Sequence, residues 1–171
     1  MPSYPAWLEK LCSRTGVPYG IRPVRGFDLK KYLGTWHEIA RLEHSFEHGL
    51  SRATANYTLA PNGSVVVLNC GYEERTGRWK TVRAKASLVE ASDIGHLKVS
   101  FFGPFYSSYI IFDLDADYSL AMVGGCNKSY LWILARGLKI DDKTLLPMFE
   151  KAKTLGFPVD KLVFPPTGFE Q

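Results

Sequence analysis

Apolar and polar residues alternate with a period of two along much of the chain beyond Phe27. Val82, Ala84, Ala86 and Leu88 interleave with Arg83, Lys85 and Ser87, and Leu97, Val99 and Phe101 interleave with His96, Lys98 and Ser100. Successive strand side chains point to opposite faces, so such runs predict strands with one dry and one wet face. About eight runs can be read, near 33–44, 52–60, 64–73, 78–90, 96–102, 106–114, 118–125 and 130–136. Turn formers separate them: Pro61-Asn62-Gly63, Thr76-Gly77, Ser92 to Gly95, Gly103-Pro104, Asp115-Ala116-Asp117 and Cys126 to Ser129. The pattern predicts an all-β fold, an eight-stranded antiparallel up-and-down β-barrel. Closure removes the exposed edges, and eight strands leave an interior able to hold one small ligand.

Downstream the period changes. Leu145, Met148, Phe149, Ala152 and Leu155 recur at three-and-four spacing and Gly156 stands as a stop, which predicts one amphipathic helix over about 141–156 packed on the outside of the barrel. Asp141 or Thr144 can cap it. Pro147 favours Thr144, because proline is tolerated in a first turn and costs hydrogen bonds deeper in. Lys161-Leu162-Val163-Phe164 reads as a short final strand. Residues 1–26, rich in Pro, Gly and Arg without a period, read as an irregular leader that lies over the domain surface or frays, and the domain itself as 27–171.

In a meander each strand reverses the last, so the start of the first strand, the sixth turn and the end of the eighth strand share one pole. Gly34 and Trp36, Asp115 and Tyr118, and Arg136 occupy those places. A guanidinium on an indole face gains about 1–2 kcal/mol when partly desolvated, so this pole is expected to be a plug that holds the fold. The other pole receives Phe46, Leu50, Phe105 and Tyr106, apolar groups that a loop seldom exposes without a use, and is expected to be the mouth.

Alternation places Glu38, Ala40, Ala55, Tyr57, Asn69, Ala84, Ala86, Val99, Phe101, Tyr109 and Trp132 inward, as a ligand-binding set. Four alanines among them leave volume that a solid core would fill. Glu38, Asn69 and Tyr57 are suited either to a head group or to satisfying one another through water.

Composition narrows the function. Apolar residues make up 46% and charged residues 22%, as in a folded globular protein. The net charge of +4 is spread without a basic run, which argues against nucleic acid and gives mild attraction to an anionic membrane within a Debye length of about 8–10 Å. His44 and His48 are four apart, but they fall at a strand end and loop with no third ligand set by a motif, so neither a metal nor another cofactor is expected. No serine or cysteine stands in a nucleophile motif, so no catalysis is expected. The three cysteines, Cys12, Cys70 and Cys126, fit no CxxC spacing, and which of them pair is left open. Glu9 and Lys10 fall where a signal peptide needs an apolar stretch, so no export signal is expected in the sequence as it stands.

Four stretches carry a resemblance: FDLKKYLGTWHEIARLEHSFEHGL at 27–50, VSFFGPFYSSY at 99–109, the DxxY turn at Asp115–Tyr118, and YLWILAR at 130–136. With its ordered GxW, DxxY and late arginine, the chain resembles the bacterial lipocalin family, the Blc-type outer-membrane lipoproteins similar to apolipoprotein D. The resemblance implies a cup-shaped barrel with a carboxy-terminal helix on its flank. It also implies a non-catalytic carrier of a fatty acid or lysophospholipid, held at the cell envelope (periplasm or outer membrane) by a lipid anchor. Two departures stand out. His37 replaces the family's tyrosine after Trp36, on the face opposite the pocket, and the Leu-Glu-Lys-Leu before Cys12 is not a lipobox, which leaves a cytoplasmic location open. Rival readings are a carrier of a bilin, haem or other planar ligand and a lipocalin-type isomerase or de-epoxidase acting on a bound lipid. Peripheral membrane contact and a homodimer built on the rim aromatics are further possible associations.

Overall fold

In a computed structural model that describes residues 15–44, 47–102 and 105–168, the period-two runs become eight strands joined in chain order. They are β1 (Gly34–Leu42), β2 (Leu50–Leu59), β3 (Val65–Glu73), β4 (Arg78–Leu88), β5 (His96–Phe102), β6 (Phe105–Leu114), β7 (Leu120–Gly124) and β8 (Leu131–Ala135). Each pairs antiparallel with the next. β1 also pairs with both β8 and β2, so the sheet closes on itself as an eight-stranded antiparallel barrel. A ninth strand, β9 (Leu162–Val163), adds to Arg41 and Leu42 of β1 from outside.

Two apolar clusters follow from closure. The interior one gathers Trp36, Tyr57, Val65, Val67, Ala84, Ala86, Leu97, Ile111, Ala121, Val123 and Leu134, with Phe27 and Tyr32 from the preceding segment. The exterior one lies between the barrel wall and helix α2 (Asp142–Thr154), where Leu145, Met148 and Ala152 meet Ile39, Leu42, Ile110, Met122 and Ile133. The helix cap differs from expectation. Asp141, not Thr144, is the N-cap, its carboxylate accepting from the Thr144 amide at 2.8 Å. Pro147 therefore sits inside the helix on its exposed face. The Lys143 carbonyl it leaves without a helical partner belongs to an exposed residue near the helix start, open to solvent, so the lost bond costs less there than in a buried turn.

Residues 15–26 lack regular structure yet are tied to the barrel. Ile21 is buried in the exterior cluster, the Val24 amide donates to Ile111 O at 2.8 Å, and the Ser108 hydroxyl donates to Gly16 O at 2.7 Å. A one-turn helix, α1 (Leu29–Tyr32), capped by Asp28, then brings Phe27 and Tyr32 to the end of the barrel where β1 begins.

That end is sealed. The Arg136 guanidinium carbon lies 4.0 Å from the centroid of the Trp36 ring, while the Trp36 indole donates to Tyr32 O at 2.9 Å. Gly34 takes φ +95°, and a Cβ there would stand 3.2 Å from Arg136 Nη1. In the β6–β7 turn the Asp115 carboxylate accepts from the amides of Ser119 and Leu120, both at 2.7 Å, and holds Tyr118 at φ 56°, its hydroxyl accepting from the Asp28 amide at 2.9 Å.

Candidate functional site

Above the plug the barrel stays hollow. A cavity of about 350 Å³ is walled by Ala55, Tyr57, Val67, Val99, Phe101, Tyr109, Trp132 and Leu134, with Glu38, Asn69 and Glu47 as polar points. Glu73, Lys80 and His48 stand toward the open pole, where Lys80 Nζ donates to Glu73 Oε1 at 2.5 Å.

Eight of the eleven side chains expected to face inward line this cavity: Glu38, Ala55, Tyr57, Asn69, Val99, Phe101, Tyr109 and Trp132. Ala84 and Ala86 do point inward, but they are packed into the interior cluster and do not border the open volume, so their small size does not create it. Ala40 is a correction. Glu38 pairs with Leu134, Ala40 with Ile133 and Arg41 with Trp132, so Ile39 is an extra residue in β1. This bulge shifts the phase of β1, turning Ala40 out under α2 and bringing Arg41 in. Of the residues expected at the mouth, Leu50 lines the cavity. Phe105 is 67% exposed, and Tyr106 lies under Lys98, whose Nζ is 4.9 Å from the ring centroid. Phe46 lies outside the described residues.

The bulge creates a polar cluster that alternation alone does not reveal. Arg41, 2% exposed, donates through Nη1 to Glu38 Oε1 at 2.7 Å and through Nη2 to Glu43 Oε1 at 3.1 Å and Glu47 O at 2.8 Å. The Trp132 indole donates to Glu47 Oε2 at 3.0 Å. One guanidinium faces the carboxyls of Glu38, which is buried, and Glu47, which is partly buried. Burial, then the charge of Glu38, pushes the Glu47 carboxyl well above the usual carboxylate range. Glu38 is pushed up by burial and held down by Arg41 and by the bond from Glu47. Burial thus opposes ionisation of both carboxyls, most strongly that of Glu47, beside the one guanidinium of Arg41. His44, 10% exposed, lies between the rings of Tyr130 and Trp132, at 5.2 and 5.1 Å, and burial with the Arg41 charge lowers it to about 4.

Nothing in the sequence marked Arg41 or Glu47 as part of the site, because a loop residue and a residue past a bulge obey no strand period. Val67 and Lys80 were within reach, since they lie in phase with Asn69 and Val82. Cys126 is disulfide-bonded, Cys70 is a free thiol, and Cys12 lies outside the described residues.

Comparison with known proteins agrees with this architecture. Residues 27–167 match the family model of the lipocalin-like domain. The outer membrane lipoprotein Blc of Vibrio cholerae is 47% identical over 150 residues, covering 87% of this chain and 88% of that protein. The Blc lipoprotein of Escherichia coli K12 is 43% identical over 159 residues, 93% of this chain and 90% of that one. Mouse apolipoprotein D is 31% identical over 80% of this chain and 75% of its own. Among solved structures, insecticyanin from the tobacco hornworm Manduca sexta superposes with a TM-score of 0.70 at 18% identity, covering 91% of this chain and 88% of that one. The cup closed by Trp36 and Arg136, its flanking helix and these relatives place the chain in the lipocalin family, whose barrels bind hydrophobic ligands.

Proposed function

We propose that this barrel carries a single-chain lipid, a lysophospholipid or a fatty acid, and performs no chemistry on it. The observation that carries the reading is a cavity of about 350 Å³ with apolar walls and a mouth that bears both signs of charge. An acyl chain between Val67, Val99, Phe101 and Trp132 gains about 0.8 kcal/mol per buried CH₂. Lys80 and Glu73, adjacent at the mouth, suit a head group that itself carries both signs, which favours the lysophospholipid. Phe105 at the rim is an apolar group able to meet a membrane surface from which such a lipid is drawn.

The cell envelope is the compartment we assign. Two lines support it: relatives named as outer membrane lipoproteins, and a disulfide at Cys126, which belongs to an oxidising environment.

Displacement of a dansylated fatty acid by lysophosphatidylcholine and by palmitic acid tests the reading. Saturable one-to-one binding is expected, weakening about fourfold for each methylene removed from the competitor. Trp132→Ala should weaken it with the fold retained. If neither lipid competes and the probe itself does not saturate, the barrel is not a lipid carrier.

A further inference from the structure

At the floor of the cavity Tyr57 and Tyr109 line the open volume, and their hydroxyls form a chain with that of Tyr32 packed behind them. Tyr57 Oη donates to Tyr109 Oη at 2.7 Å, and Tyr32 Oη lies 2.7 Å from the same oxygen. The trio stands directly on the plug, with the Tyr32 ring 4.8 Å from that of Trp36 and edge-on to Tyr57 at 5.4 Å. Three hydroxyls bring three protons, yet two mutual hydrogen bonds use only two of them.

The position of the third proton follows from burial. Tyr57 is committed as a donor to Tyr109. Were Tyr109 to donate to Tyr32, the spare proton would fall to Tyr32, which is 0% exposed and is not among the residues that line the cavity. A buried donor without an acceptor is costly. When Tyr32 donates to Tyr109 instead, the spare proton belongs to Tyr109, which lines the cavity. Burial, then the neighbouring Tyr32 and Tyr57, raises the Tyr109 hydroxyl well above 10.0, so it stays a donor at every working pH.

We propose that Tyr109 forms a deep polar subsite that donates a hydrogen bond to an oxygen at the inner end of the ligand, so that the barrel accepts ω-oxygenated acyl chains as well as plain ones. The subsite rests on the carrier reading, because the chain must enter tail first for its far end to arrive at Tyr109. An apolar floor would reject such an oxygen, whereas this one supplies its partner.

The test compares ω-hydroxylauric acid with tridecanoic acid, which carries a methyl where the other carries its hydroxyl, and repeats the pair for the myristic and palmitic lengths. At the length that reaches the floor, the wild type is expected to lose less than about fivefold on exchanging methyl for hydroxyl. This wild-type measurement needs no variant to fold. In Tyr109→Phe the same exchange should cost at least about tenfold more than in the wild type, while Tyr32→Phe, which leaves the Tyr109 proton free, should retain the tolerance. Near-ultraviolet circular dichroism establishes that each variant keeps its packing.

A wild-type loss of about fiftyfold or more at every length would overturn the subsite, as would an equal loss of tolerance in Tyr32→Phe and Tyr109→Phe, which would mark the trio as structural only. In both cases tight binding of tridecanoic acid would leave the carrier reading standing. Failure of all the plain acids to bind would remove the carrier reading and the subsite with it.

Discussion

The Arg136 guanidinium lies 4.0 Å over the Trp36 ring while its nitrogens donate to the carbonyls of Lys31, Tyr32, Leu33, Thr35 and Tyr118. One side chain at the end of β8 thus joins α1, the start of β1 and the β6–β7 turn. A flat fork with five donors can do this and an ammonium cannot. Arg136→Ala is expected to cost about 2–4 kcal/mol in urea unfolding, and Arg136→Lys to recover less than half of it. An unchanged unfolding midpoint for the alanine variant would show that the seal is dispensable.

Gly34 serves the same seal by omission. Its φ of +95° is strained for any side chain, and a Cβ would stand 3.2 Å from Arg136 Nη1. Gly34→Ala should therefore lose about 1–3 kcal/mol. In the double variant with Arg136→Ala the losses should sum to less than the two singles, because part of the strain is relieved once the guanidinium is gone. Full additivity would mean that the backbone angle alone sets the cost.

Ala55 borders the open volume opposite Trp36 in the β1–β2 register. Leucine there would extend into the cavity and not into packed core, so thermal stability should stay within about 1 kcal/mol. The added carbons should exclude about three methylenes of ligand and weaken palmitic acid by tenfold or more while sparing shorter chains. Equal effects on all lengths would place the acyl chain elsewhere.

His44 should give the protein an acid weakness. Its folded value near 4 lies below the ordinary 6.5, because burial and the Arg41 charge both oppose protonation. Between those values the unfolded chain binds a proton that the folded chain refuses. The contribution of His44 to stability is complete above about pH 6.5 and is lost as pH falls toward 4, by as much as about 3 kcal/mol. His44→Phe, which keeps a ring against Tyr130 and Trp132, should flatten that slope. Parallel curves for the two proteins would refute the assignment.

The barrel, its sealed end and the flanking helix were legible because each rests on a repeating local signal. Period-two runs named all eight strands, and Gly34, Trp36, Asp115 and Arg136 mark one pole through topology alone. What could not be read was set by single departures from period. The extra residue at Ile39 reverses the phase of β1 after Glu38, so strict alternation puts Ala40 inside and gives no sign of Arg41. The helix span follows its period, but its cap does not follow the proline: Pro147 favours Thr144, whereas the capping bond from Asp141 to the Thr144 amide prevails and the proline's lost bond falls on an exposed turn. Glu47 reaches the cavity from a loop, where no period exists to place it.

Glu47 should act in the opposite sense to His44. Its carboxyl is held well above the usual 4.5 by burial and by Glu38, with the Trp132 indole and Arg41 pulling the other way. Above about pH 4.5 the unfolded chain releases this proton while the folded chain keeps it, so the folded state binds more protons and its stability falls as pH rises. Below pH 4.5 the contribution is fully present. Between about pH 4 and 6.5 the two residues oppose each other, and above 6.5, where His44 is neutral in both states, the decline belongs to the carboxyl pair. Glu47→Gln keeps an oxygen for the Trp132 indole and cannot ionise. Its stability should match the wild type near pH 5 and exceed it progressively toward pH 9, measured by denaturant unfolding at constant ionic strength. A wild-type curve that stays level with the glutamine variant across that range would mean that Glu47 is already ionised at neutral pH, and that two full negative charges share the wall beside Arg41.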